Sequence, residues 1–105
     1  MKVVAEKKPE FVIVQYGDTD HVFHAHGPFS KEAGEACVRA DAWLGKIVPW
    51  LRAAGYAVII AADHGQHEVA KKDGKTAGTH GSASDLDSLV PLVWLPTVDR
   101  STSAP

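Results

Sequence analysis

Two hydrophobic rhythms run along this chain, and they mark out its elements. Phe11-Val12-Ile13-Val14-Gln15-Tyr16 is a nearly unbroken apolar run closed by Gly17, the pattern of a strand covered on both faces. From Ser30 onward the period changes. Ala33, Ala36, Cys37, Ala40, Leu44, Ile47, Val48 and Leu51 recur at three- and four-residue spacing, the stripe of an amphipathic helix. Ser30 is a good N-cap, Glu32 suits the positive end of the helix dipole, and Gly55 is a natural stop, so a helix is expected over about 30–54. Pro49 removes the bond to the Gly45 carbonyl and predicts a kink or break. Cys37 lies on the stripe and reads as a small buried hydrophobe. A β-branched run predicts a second strand at 57–62, and Leu89 to Leu95 reads as a third, with Pro91 placing its start at an edge or bulge. The polar stretch 66–79 predicts a small hairpin around Asp73-Gly74.

Strand, helix, strand is a βαβ unit with a right-handed crossover. The expected fold is therefore α/β: part of a three-layer α/β/α sandwich on a mostly parallel sheet, with 11–16 and 57–62 parallel. Residues 1–10, charged and containing Pro9, read as a flexible lead-in to a domain at 11–95. Residues 96–105, rich in Ser, Thr and Pro, read as a disordered tail.

Composition narrows the function classes. The 105 residues suffice for one small domain, and 45% apolar with 23% charged residues is ordinary for a globular chain. Net charge is −2, and Lys71, Lys72 and Lys75 are interrupted by Asp73 and Gly74, which disfavours nucleic acid as a partner. No apolar run approaches the ~18 residues of a membrane span. The first residues are not a secretory signal, and one cysteine excludes an internal disulfide.

The chemistry-bearing residues collect at the ends of these elements. Asp20 and His24 are four apart, which puts them on one side of a helical turn or compact loop. Asp63-His64-Gly65 closes the second strand, at the sheet edge where open α/β folds bind ligands. His80 follows in Thr79-His80-Gly81. Two Asp and three His suit a two-metal hydrolytic centre, for Zn²⁺ or Mn²⁺ rather than Mg²⁺ or Ca²⁺. Taken singly, each cluster is also an ordinary polar turn. Asp18 replaces Asp20 if the loop is shifted. His21 and His26 read as exposed or ligand-orienting, and His67 as a candidate substrate contact. Asp41 reads as a tie between the long helix and a loop.

Asp20-x-x-x-His24-x-x-Gly27-Pro28, then Asp41, then Ala62-Asp63-His64-Gly65, then Thr79-His80-Gly81 and a Val-Pro strand, resembles the alkaline-phosphatase superfamily. The nearest branch is the type I phosphodiesterase/nucleotide pyrophosphatase group. Leu44-Gly45-Lys46-Ile47-Val48 and the Ala-Asp-His-Gly strand end are also similar to cofactor-independent phosphoglycerate mutases. The resemblance implies two divalent metals, with zinc the better fit and manganese the alternative. It gives Asp20, His24 and His80 to one metal and Asp63 and His64 to the second. It implies a small phosphoester as substrate. It also implies an upstream half carrying a Ser or Thr nucleophile and a further Asp ligand. Only 19 residues precede Asp20, so the chain reads as a C-terminal half, inactive alone, that pairs with the missing half or with itself. A stand-alone metal-binding or interaction module is the reading from another class.

Overall fold

The computed structural model describes residues 2–98. In order they form α1 (Lys2–Lys7), α2 (Asp18–His26), α3 (Lys31–Ala53), β1 (Val58–Ala61), β2 (His67–Ala70), β3 (Thr76–Thr79), α4 (Asp85–Ser88) and β4 (Leu92–Leu95). The fold is mixed α/β. The tail expected at 96–105 falls largely outside the described residues.

α3 matches its sequence signals closely. The Ser30 side chain accepts from the Ala33 N–H at 3.1 Å. At the other end Gly55 takes φ +97°. Its N–H donates to Arg52 O at 3.0 Å, and the Tyr56 N–H donates to Leu51 O at 3.1 Å. These paired bonds satisfy carbonyls that a helix end otherwise leaves open. The helix continues through Pro49 without the expected break. The carbonyl that the proline ring crowds belongs to Gly45, whose backbone has unusual freedom to yield.

The sheet is the main correction. Among the described residues there is no parallel pair. β1 pairs antiparallel with β4, Ile59 opposite Trp94, and β2 pairs antiparallel with β3, His67 opposite Thr79. These are two ribbons rather than one mostly parallel layer. The run 11–16 is not a strand, and Phe11 and Ile13 are 80% and 81% exposed. A strand needs a neighbour for its N–H and C=O groups, and 11–16 has none among the described residues, so the βαβ unit does not form there. Residues 2–7, read as part of a loose lead-in, are helical and bury Val4. Cys37 is exposed, not buried: the buried stripe of α3 is Ala33, Ala36 and Ile47, and Cys37 falls outside it.

What does pack is α2, which lies against both α3 and β3. Tyr16 stacks on Trp43 with ring centroids 5.0 Å apart, and Arg39 Nε donates to Asp18 Oδ2 at 2.8 Å. That guanidinium holds the Asp18 carboxyl below its ordinary range. Together they dock the start of α2 onto the long helix. The core is small: Val4, Ala33, Ala36, Ile47 and Ala77, with no large side chain fully buried among the described residues. The radius of gyration is 17.4 Å and the longest extent 58 Å. A compact domain of this length has a radius of about 13 Å.

Candidate metal centre

α2 sets the first two groups. Asp18 and Asp20 occupy its first turn, where negative charge suits the helix dipole, and His24 and His26 occupy its last. Gly27 ends it at φ +93°. The four-residue spacing puts Asp20 Oδ1 3.4 Å from His24 Nε2.

The β2–β3 hairpin brings the next group. Gly74 at φ +80° turns the chain, and Asp73 accepts from the Lys75 N–H at 3.0 Å. β3 then passes close to α2 because residue 78 has no side chain. A Cβ there would collide with the Phe23 carbonyl and lie 2.6 Å from Gln66 Oε1. The approach lets His24 Nδ1 donate to the Gly78 carbonyl at 2.9 Å. It also places His80 Nε2 3.9 Å from Asp20 Oδ1.

His64 arrives from the end of β1. Its Nδ1 donates to the Gly65 carbonyl at 2.8 Å. Its Nε2 lies 3.7 Å from Asp20 Oδ1 and 3.5 Å from Asp63 Oδ1. Its ring stacks on His80 at 3.5 Å and 19°. Asp63 is the most open of the set, and among the described residues its carboxylate meets His64.

The hydrogen bonds decide what the imidazoles offer. A carbonyl only accepts, so Nδ1 of His24 and of His64 carries a proton, and in the neutral ring each Nε2 presents a lone pair. Both lone pairs face Asp20 Oδ1. Such an arrangement repels unless a proton or a cation lies among the groups. Asp20, His24 and His80 offer ligand atoms all within 4.8 Å of one another. Around a cation with ligand bonds of about 2.0–2.2 Å, tetrahedral donors sit roughly 3.4 Å apart. The donor set and its spacing therefore suit a divalent ion after a small inward movement. Asp63 and His64 lie beside this group rather than in it.

The remaining sequence candidates stand elsewhere. Asp18 is held by Arg39, and His21, His26 and Asp41 are exposed. His67 faces Asp87, with Nδ1 2.8 Å from Oδ1.

Two residues that the sequence did not single out are the buried polar groups among the described residues. Gln66, 7% exposed, donates from Nε2 to Asp20 Oδ1 at 2.6 Å and so fixes the carboxylate that the histidines surround. Its Oε1 has no partner among the described residues. Asp87, 3% exposed, accepts from the Ser82 hydroxyl at 2.5 Å, from the Ser82 N–H at 2.9 Å and from His67. The Ser82 hydroxyl and then His67 pull its carboxyl down to about 2.

Comparison with known proteins agrees with the motif order. The family model for type I phosphodiesterase / nucleotide pyrophosphatase matches residues 1–96. The chain belongs to the type I phosphodiesterase / nucleotide pyrophosphatase family. Among curated proteins, the chain is similar to two described as 2,3-bisphosphoglycerate-independent phosphoglycerate mutases. The one from Dinoroseobacter shibae is 34% identical over 96 residues, covering 91% of this chain and 18% of the relative. The one from Roseobacter denitrificans is 34% identical over 97 residues, covering 92% and 18%. This phosphodiesterase-family chain thus spans under a fifth of the length of the curated relatives it matches. No solved structure matches it.

Proposed function

We propose that this chain is the metal-binding C-terminal portion of a metal-dependent phosphoester hydrolase of the phosphodiesterase type. The nucleophile and the remaining ligands of a second metal come from outside residues 1–105. One observation supports this reading most: Asp20 Oδ1, His24 Nε2 and His80 Nε2 converge, with the His24 tautomer fixed by a backbone carbonyl. Three protein ligands with a position left for water or substrate is the usual form of an open zinc site. Zinc fits the Asp/His set best, with manganese the alternative.

A divalent ion there supplies the positive charge that binds and polarises a phosphoryl oxygen. The chain's own residues prepare that position. Gln66 holds Asp20 in one orientation, the Gly78 carbonyl aims His24, and His64 stacks on His80. Asp63 and His64 stand next to the group, ready to ligate a second ion that partner residues complete. The substrate is a small phosphoester. The apolar surface left open on the β1–β4 ribbon and at 11–16 is covered by the rest of the enzyme or by a second copy.

A second reading, supported by the two mutase relatives, is a phosphomutase of the same superfamily. It differs in fate of the phosphoryl group, which returns to the substrate instead of going to water.

The test of the metal reading is calorimetric titration of the metal-free chain with Zn²⁺. One equivalent should bind, His80→Ala should lose that step, and His64→Ala should keep it with a modest loss. Binding that survives in His80→Ala and vanishes in His64→Ala would overturn the ligand assignment.

A further inference from the structure

Beyond the ligands, one buried carboxylate touches the chain on both sides of the His64–His80 stack. Asp87 sits on the short helix α4. Its backbone carbonyl accepts from the Gly65 N–H at 2.7 Å, one residue after His64. Its carboxylate accepts from His67, three residues after His64. The same carboxylate takes both the N–H and the hydroxyl of Ser82, two residues after His80. The segment leaving His64 and the segment leaving His80 therefore meet on a single residue.

Gly65 makes this possible. A Cβ at position 65 would run into the Leu86 carbonyl of α4. The bare backbone lets the helix settle directly on the turn that carries His64.

Serine, histidine and aspartate side by side invite comparison with a nucleophilic triad, but the proton traffic is wrong. The Ser82 hydroxyl gives its hydrogen bond to Asp87 and not to His67, so no base activates it. The cluster is built to hold, not to react.

We propose that Asp87 is a positioning residue for the metal centre, locking His64 and His80 in their stacked pair so that His80 reaches Asp20. This rests on the metal reading above. It differs from a general structural role because it predicts a paired change at the His64 and His80 rings and a loss of metal affinity, which a loss of fold stability alone would not produce. Outer groups that orient ligands are typically worth about 10–100-fold in metal affinity.

The experiment has two arms on the full chain, with Asp87→Ala, the near-isosteric Asp87→Asn, and Ser82→Ala. In the metal-free protein, NMR should show the His64 and His80 ring resonances moving together in Asp87→Ala, with those of the exposed His21 and His26 unmoved, because loss of the stack removes mutual ring-current shifts. In the second arm, Zn²⁺ affinity should fall about 10–100-fold in Asp87→Ala. It should fall less in Asp87→Asn, which keeps an acceptor for Ser82, and in Ser82→Ala. Unchanged ring resonances in Asp87→Ala and Asp87→Asn would overturn the positioning role. So would undiminished affinity in both variants while the wild type binds, which would leave the metal reading standing. A wild type that binds no zinc would sink both. If Asp87→Ala unfolds, Asp87→Asn and Ser82→Ala decide the matter by the same two readouts.

Discussion

The two ends of this molecule break the usual rule of burial in opposite directions. At the end built from α2, the β2–β3 hairpin and α4, two polar side chains, Gln66 and Asp87, are buried about as deeply as the core residue Ala77 of β3. At the β1–β4 ribbon, Ile59, Leu92 and Trp94 lie open to solvent, Trp94 58% exposed, and Phe11 and Ile13 are more open still. Polar burial is costly unless each group is hydrogen-bonded, and around Asp20 and Asp87 nearly every group is. Exposed apolar area on this scale is covered by something else in most proteins. The positions of Asp20 and His24 are fixed by bonds within the chain, whereas the apolar side chains of the ribbon stay open to solvent.

The sharpest way to break that comparison is to mutate each end and read zinc. Removing His24, by His24→Ala, should weaken Zn²⁺ binding beyond the roughly 100-fold that marks the loss of an outer partner. Trp94→Lys should leave it within about twofold. Calorimetry of both variants checks this, and a large effect of Trp94→Lys would show that the ribbon shapes the site.

A second contrast concerns stability. Gly65→Ala adds one methyl group that collides with the Leu86 carbonyl, a rigid backbone atom. It should cost about 2–3 kcal/mol, in the range of core strain. Ile59→Ser deletes a large apolar side chain that is mostly exposed and should cost under about 0.5 kcal/mol. Urea denaturation with a common m-value measures both.

Much of the fold was legible in the sequence where a local signal fixes a local structure. Ser30 and Gly55 bound α3, Asp73-Gly74 turns the hairpin, and the β-branched run 58–61 is a strand. Phe11 to Tyr16 misled because an apolar run states a preference for strand but names no partner. Pairing is a long-range property, and β1 took β4 in antiparallel register instead. α2 hid behind its density of ligand-type residues, although acidic residues at its start and Gly27 at its end are helix signals. At the site, Asp20, His24 and His80 stood out through spacing and motif order. Gln66 and Asp87 did not, since a single Gln or Asp beside a motif says nothing of what it will bond. Only Ser84-x-x-Asp87, a pattern typical of helix starts, hinted at order there.

Association sharpens the comparison further. The chain should self-associate through the ribbon, and the double variant Ile59→Lys, Trp94→Glu should weaken association about tenfold or more without changing zinc stoichiometry. Sedimentation at several concentrations reads it. A monomeric wild type that binds no apolar dye would mean that the open face needs no cover.

The smallest effect is a pH effect at the polar end. The Asp87 carboxyl lies at about 2 in the fold against an ordinary 3.8. A lowered value means that the stabilisation is complete above about 3.8 and is lost as pH falls toward about 2. Asp87→Asn should flatten the acid limb of thermal stability in that window by a few degrees, and calorimetric scans across it test the sign.

Asp20, His24 and His80 are proposed to hold one metal. Anomalous diffraction at the zinc edge, on crystals of the full chain grown with one equivalent of Zn²⁺, addresses it directly. The account predicts one strong peak bonded to Asp20 Oδ1, His24 Nε2 and His80 Nε2. A peak held by Asp63 and His64 alone, or no peak within this cluster, would contradict it.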